Sequence, residues 1–225
     1  MSRTEHQRAA PSQVGRPQGP VGVGPARRAL DVTVAVVSGV LLLPLLLAAA
    51  AWVMLDSGRP VVFRQERVGE GGKLFVLYKL RTMRCSGPRG PEVTAGSDVR
   101  VTRSGRVLRA SSIDELPQLL NVIRGQMTLV GPRPETPDLA CRYPPECRWV
   151  LHHRPGLTGP AQIALRDNRA IPDDVQDVEG HYLSVLVPRR VALDATFLAR
   201  PTLRATLGVV WRTVVHLVRP SATAS

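Results

Sequence analysis

Two adjacent carboxylates, Asp114 and Glu115, stand in the stretch Ser112-Ile-Asp-Glu-Leu-Pro-Gln-Leu-Leu-Asn121, with arginines on either side at Arg109 and Arg133. An ionised carboxylate, a second one for a metal ion and flanking guanidiniums are the parts of a phosphoryl-transfer site. Ser112 followed three residues on by Glu115 fits a capping box before an apolar run, so the spacing predicts a helix that starts here. A helix start offers free backbone N–H groups to an anion such as phosphate. The same field is expected to keep Asp114 ionised. The plain alternative is that Ser112 and Glu115 only cap the helix.

Other cations sit where a backbone could aim them. Tyr78-Lys-Leu-Arg-Thr82 ends a strand with Lys79 and Arg81, which read either as solvated strand charges or as diphosphate contacts. Gly131-Pro-Arg-Pro134 holds Arg133 between two prolines, and that rigidity suits bidentate phosphate binding. Arg154-Pro-Gly-Leu-Thr-Gly-Pro160 is a second Gly/Pro-punctuated loop with an arginine at its head. His152 and His153 adjoin it without a ligand-spaced partner. The acidic residues Asp173, Asp174, Asp177 and Glu179 read as a solvated loop rather than a metal site.

The elements that must position these groups follow from the apolar pattern. Residues 1–26 are rich in Pro, Gly, Gln, Ser and Arg and read as a disordered leader. Arg27-Arg28 then introduces an apolar run from Leu30 to Leu55, broken only by Asp31, Thr33 and Ser38. Roughly 25 such residues suffice to span a bilayer as one helix, and the two arginines favour a cytosolic N-terminus. Pro44, in Leu41-Leu-Leu-Pro-Leu45, removes a helix hydrogen bond and clashes with the preceding turn. The run is therefore either a spanning helix or a re-entrant one that turns back. The domain division is a membrane helix over 27–56 kinked at Pro44, a catalytic domain over 57–219 and a tail over 220–225.

Within that domain, the segments around Val62 and Lys73 form a hairpin across the Gly-rich turn Glu70-Gly-Gly72. Residues 84–100 read as a loop, a candidate lid. A short basic helix leads from Val101 to Arg109. Helical stretches follow over 135–153, interrupted at Tyr143-Pro-Pro145, and over Tyr182 to Ala199. A last helix, Leu203 to Val218, carries Leu203, Leu207, Val210, Trp211, Val214 and Val218 on one face. Core packing is the default for such a stripe. With Arg204, Arg212 and Arg219 beside it, the helix also suits a membrane interface.

The chain has 225 residues, 44% hydrophobic but only 4% aromatic, with a formal charge of +12. Arginine carries nearly all of it, since Lys73 and Lys79 are the only lysines. Such a balance suits nucleic acid, anionic lipid or phosphorylated substrates. The arginines are spread without aromatic interleaving, which argues for lipid or phosphate over nucleic acid. Cys85, Cys141 and Cys147 form neither a disulfide framework nor a zinc spacing and fit a reducing compartment.

Four segments in order carry a resemblance. They are Phe63-Arg-Gln-Glu-Arg-Val-Gly69, Tyr78-Lys-Leu-Arg-Thr-Met83, Ser112 to Gly125 continuing into Leu129-Val-Gly-Pro-Arg-Pro134, and Arg154-Pro-Gly-Leu-Thr-Gly159. Together they resemble the bacterial sugar transferase family, the small monotopic phosphoglycosyl transferases. The resemblance implies transfer of a sugar phosphate from a nucleotide sugar, usually a UDP-sugar, to polyprenyl phosphate, with release of UMP. It implies that Asp114 is the nucleophile of a covalent glycosyl-phosphoryl intermediate and that Glu115 helps hold Mg²⁺. Arg109 and Arg133 match arginines near the phosphates, and Lys79 and Arg81 match a cationic strand end. Asp194 matches a family aspartate only across an insertion. The family's apolar segment is re-entrant, which favours that form here.

The implied architecture is α+β and predominantly helical. It joins the membrane helix to a cytosolic catalytic domain with a small β-hairpin and an interfacial amphipathic helix. The expected binding residues are Arg109, Arg133, Lys79, Arg81 and Arg154. The expected partners are a nucleotide sugar, polyprenyl (undecaprenyl) phosphate and membrane lipids at the cytoplasmic membrane, without nucleic acid. Oligomeric state is left open, a homo-oligomer included. The chain departs from the family pattern at Gln126, where an acid is usual, at Pro160, where an aromatic is common, and at Ala164-Leu-Arg166. These departures motivate an alternative, a catalytically inactive, membrane-anchored scaffold in a glycan-assembly complex.

Overall fold

A computed structural model describes residues 22–84, 100–165, 175 and 177–218. Most of the expected leader, the candidate lid, most of the acidic stretch, Arg166, Arg219 and the tail lie outside these residues. The described chain is α+β and mostly helical.

The apolar run forms two helices, α1 (Pro25–Leu41) and α2 (Leu43–Ser57), bent by 61°. The break falls at Leu42, two residues before Pro44, which lacks the N–H that would bond back to the preceding turn. No single described helix is long and apolar enough to cross a membrane, although the bent pair passes together by length and composition.

Both ends of this pair are fastened to the rest of the chain. At the start of α1, Arg27 donates to the Val130 carbonyl at 3.1 Å and Arg28 to the carbonyls of Val122 and Ile123 at 2.6 and 2.7 Å. Asp31, fully buried, accepts from Thr128 Oγ1 at 2.6 Å and from the Leu129 amide at 3.2 Å. At the end of α2, Asp56 accepts from the Ser104 amide and hydroxyl at 2.9 and 2.7 Å. Two of the charges that flank or break the apolar run, Arg27 and Asp31, thus dock a helix on strand backbone. Between the anchors, Val40, Leu41, Leu47 and Leu55 are exposed.

After α2, β1 (Val62–Val68) and β2 (Leu74–Leu80) pair antiparallel, with Phe63 opposite Lys79. The hairpin is longer than the sequence indicates, because it absorbs Arg64 to Val68. Helix α3 (Arg103–Ser111) follows, capped by the Thr102 hydroxyl. Next come a 3₁₀ turn (Ile113–Gln118), α4 (Leu119–Ile123) and β3 (Thr128–Val130). Helix α5 (Pro137–Cys141) and a second 3₁₀ segment (Pro145–His152) lead to β4 (Gly156–Thr158), which pairs parallel with β3. This second sheet is absent from the sequence reading, its strands being too short to show a period.

The chain closes with α6 (Pro160–Ala164), α7 (Val178–His181), a π-turn (Tyr182–Leu186), α8 (Val187–Ala199) and α9 (Leu203–Val218). The main core joins Phe75 and Leu77 of β2, Val122, Met127, Leu129, Val187 and Leu198, and takes Ala35 of α1 into it. A smaller cluster packs Ala49 and Val53 of α2 on Leu80 and Leu108. Burying each larger side chain contributes about 1.5–3 kcal/mol.

Helix α9 corrects the core-packing default for its stripe. Its buried residues are Thr206 and Val209, whereas Leu203, Leu207, Trp211 and Val214 are exposed, Trp211 by 68%. The helical period is as read, but most of the stripe faces away from the core.

Candidate functional site

The site is built where three short segments meet the end of β2. Helix α3 stops because Ser112 turns into the left-handed region at φ 57°. The next residues tighten into a 3₁₀ turn, since Pro117 has no N–H to donate back to Ile113. Ser112 makes no side-chain cap; only its carbonyl accepts, from the Glu115 amide at 3.2 Å. The expected capping box and helix N-terminus are therefore not formed. Asn121 fixes the turn to β2. It donates to the Val76 carbonyl at 2.7 Å and accepts from the Tyr78 amide at 3.3 Å. It also donates to Gln126 Oε1 at 2.8 Å. The Gln126 amide oxygen is thus tied into the Asn121 network.

This arrangement points Asp114 into the protein, where only 7% of it is exposed. Burial, with Glu115 adding to it, raises its pKa; Lys79, Arg109 and Arg133 oppose, and the balance stands at about 6. The helix-start field expected to keep Asp114 ionised is absent, and burial instead raises its pKa above the ordinary carboxylate value. Lys79 is lowered to about 8, chiefly by burial and then by Arg67, Arg109 and Arg133, with Asp114 opposing. Its ammonium lies 5.1 Å from the Phe63 ring. Arg109 is held by Thr82, Nε to Oγ1 at 2.8 Å.

Arg133 reaches Glu115 at 3.4 Å and keeps 48% of its side chain open to a cavity of about 1140 Å³. Its loop is braced from behind. Gly131 donates to the Thr158 carbonyl at 2.9 Å, and the Gly156 amide donates to the Pro132 carbonyl at 2.8 Å. A Cβ on Gly156 would lie 2.1 Å from the Gly131 nitrogen, so only glycine permits this approach. The Arg154-Pro-Gly-Leu-Thr-Gly segment therefore supports the Pro-Arg-Pro loop.

The cavity brings together Asp114, Glu115, Lys79, Arg109 and Arg133. Arg81 and Arg154 are not in its wall. Arg81, 4% exposed, donates to the carbonyl of Ser57, to its hydroxyl at 2.9 Å and to the Gly58 carbonyl at 2.6 Å. It closes the end of α2. Arg154 pairs with Glu70 Oε2 through Nη2 at 2.7 Å and Nε at 3.0 Å. These two cations serve as clamps between segments, which a motif alone does not distinguish from ligands.

Several wall residues escaped the sequence reading. Arg67, Arg106 and Arg190 add cations, and Glu135, Tyr143 and Tyr182 form a buried cluster. Asp194 also lines the wall. It accepts from the Ala161 amide at 3.0 Å, and burial pushes it up to about 7. Pro160, a departure from the family pattern, occupies the first turn of α6, where proline costs no hydrogen bond. Another part of the wall is largely apolar, with Val34 and Leu42 from α1 or its end and Val210, Val214 and Leu217 from α9.

Among the described residues, no group of three His, Cys, Asp or Glu side chains converges on a common metal position. Mg²⁺ typically keeps several waters and binds through one or two carboxylates plus substrate phosphates. Asp114 and Glu115, consecutive carboxylates that line the same cavity, are a donor set of that kind, so the residues present fit such an ion.

Residues 24–220 match the family model of the bacterial sugar transferases. A UDP-glucose:undecaprenyl-phosphate glucose-1-phosphate transferase of Caulobacter vibrioides is 44% identical over 90% of this chain and 74% of its own. A UDP-N-acetylgalactosamine-undecaprenyl-phosphate N-acetylgalactosaminephosphotransferase of Aeromonas hydrophila is 41% identical over 61% of this chain and 33% of its own. The exopolysaccharide production protein ExoY of Rhizobium meliloti is 36% identical over 87% of this chain and 86% of its own. The chain belongs to the bacterial sugar transferase family and is an enzyme, a phosphoglycosyl transferase.

Proposed function

We propose that this enzyme transfers a sugar 1-phosphate from a UDP-sugar to undecaprenyl phosphate, at the cytosolic face of the membrane, as an early step of exopolysaccharide assembly. The observation that carries this reading is Asp114, a buried carboxylate ringed by Lys79, Arg109 and Arg133 in a cavity whose wall includes α1 and α9. In the first step an Asp114 carboxylate oxygen attacks the sugar-bearing phosphorus. The bond from that phosphorus to the bridging oxygen breaks, and UMP leaves with the bond's electron pair. The result is an acyl phosphate carrying the sugar. In the second step a phosphate oxygen of undecaprenyl phosphate attacks the same phosphorus, expels the Asp114 carboxylate and forms the diphosphate. A pKa of about 6 leaves most of Asp114 ionised at neutral pH yet only weakly solvated, which suits a nucleophile. The three cations offset charge on phosphoryl oxygens in both steps. Mg²⁺, held through Glu115 and the substrate phosphates, would neutralise further phosphate charge.

The acceptor's isoprenoid chain needs an apolar path to the site. The apolar wall between α1 and α9 and the exposed apolar faces of α1, α2 and α9 are suited to it. Because both ends of the bent pair are tied to the same catalytic body, the pair enters and leaves on one side of the bilayer. Helix α9 lies at headgroup depth with Trp211 inward to the lipid.

The test is UMP release from UDP-glucose, UDP-N-acetylgalactosamine and related donors. Wild type is expected to release one equivalent without acceptor and to turn over when undecaprenyl phosphate and Mg²⁺ are both added. Silence across the panel would favour the inactive scaffold instead.

A further inference from the structure

Glu135, two residues beyond Arg133, is 5% exposed and meets three other segments, through Arg67, Tyr143 and Tyr182. Its Oε2 accepts from the hydroxyls of Tyr143, at 2.9 Å, and Tyr182. Its Oε1 accepts from the Thr136 amide at 3.1 Å and lies 3.5 Å from Arg67 Nη1. Arg190 donates to the Tyr182 hydroxyl at 2.6 Å and its guanidinium lies over that ring, 4.9 Å from the centroid. Every lone-pair direction of the carboxylate is taken, so it has none to offer a substrate.

The same residue fixes the Pro-Arg-Pro loop through its backbone. The Val68 amide donates to the Glu135 carbonyl at 2.8 Å, and Arg67 donates to the Pro134 carbonyl at 3.3 Å. Tyr182 opens the π-turn ahead of Pro188, a widened helical turn of the kind that re-aims side chains at functional sites. Glu115, with Glu135 adding to it, also favours the charged form of Arg133.

Building on the transferase reading, we infer that Glu135 is a positioning residue. It locks the Pro-Arg-Pro loop between β1 and the Tyr182 turn, and so sets the Arg133 guanidinium against Glu115 and the transferring phosphate. Glu135→Gln places an amide donor against two phenolic donors and frees the loop without emptying volume. Its effect should therefore pass through Arg133.

The experiment is a double-mutant cycle on UMP release under saturating donor, with thermal unfolding of each variant measured in parallel. Glu135→Gln is expected to lower kcat about tenfold or more in the wild-type background and by less than about twofold in an Arg133→Ala background. Tyr182→Phe removes one hydroxyl from the same carboxylate and is carried through the identical cycle, so that the result does not hang on one variant folding. Equal losses in both backgrounds would overturn the positioning role and leave the transferase reading intact. No UMP release by wild type from any donor would overturn both.

Discussion

The Glu115 carboxylate and the Arg133 guanidinium meet at 3.4 Å in the wall of the cavity that holds Asp114. The pair joins the two specific motifs of the sequence across a turn and a strand. It places one cation beside two carboxylates that must bind a polyanion. An ion pair this open contributes little stability. Arg133→Ala is therefore expected to shift the unfolding midpoint by no more than about 2 °C while lowering kcat about a hundredfold or more. A large fall in stability with kinetics retained would assign it a scaffolding role.

The rate should depend on pH through two groups of the site. Asp114 must be ionised to attack, and its pKa stands at about 6. Lys79 must be charged to offset phosphate, and its pKa stands at about 8. A bell-shaped profile of kcat/KM is expected, with its limbs near those values. In Lys79→Arg the alkaline limb should vanish, because guanidinium stays protonated. An alkaline limb that survives this change would belong to another group.

Burial of Asp114 also costs stability at neutral pH. Its folded pKa, about 6, lies above the ordinary 3.8. Stability from this group is thus full below pH 4 and is lost as pH rises through about 6. Above that the ionised form costs of the order of 3 kcal/mol. Asp114→Asn is expected to raise the midpoint of thermal unfolding at pH 7.5 in metal-free buffer, and to have no such effect near pH 4. A lower midpoint at pH 7.5 would mean that the carboxylate is held by contacts outweighing its burial.

Arg81 gives a contrasting expectation. It closes the end of α2 with bonds to Ser57 and Gly58. Arg81→Ala removes a buried side chain and its hydrogen bonds to the half-exposed end of α2, and should cost about 1–3 kcal/mol of stability. The KM for donor should stay near wild type in the protein that remains folded. A selective rise in KM with stability unchanged would return Arg81 to the binding site.

The bent pair makes a topological prediction. Single cysteines at Ala26 and Arg59, both exposed at opposite ends of α1–α2, can be introduced with Cys85, Cys141 and Cys147 replaced. Both are expected to escape an impermeant maleimide in intact cells and to react in inverted vesicles. Labelling of one end from outside would establish a spanning form.

Much of this was legible in the residues, for physical reasons that differ by element. The hairpin, the late helices and the break before Pro44 follow from period and from proline's missing N–H. The carboxylate pair and Arg133 stand out because few side-chain types neutralise phosphate. Other features depend on tertiary contacts that spacing does not encode. Ser112 and Glu115 have capping-box spacing, yet Ser112 takes a positive φ and Pro117 tightens the turn. Arg81 and Arg154 look like ligands until Ser57 and Glu70 are seen beside them. Glu135 gives no local signal, since Arg67, Tyr143 and Tyr182 reach it from other segments of the chain. The stripe of α9 shows its period but not the side it faces.

The central claim is that Asp114 carries the sugar phosphate during turnover. Intact-protein mass spectrometry after brief incubation with a UDP-sugar and Mg²⁺, without acceptor, tests it most directly. The expected result is a mass increase of one sugar phosphate that maps to the peptide holding Asp114, disappears on adding undecaprenyl phosphate and is absent in Asp114→Asn. Steady acceptor-dependent UMP release by a protein that never gains that mass, or an adduct that persists in Asp114→Asn, would contradict it.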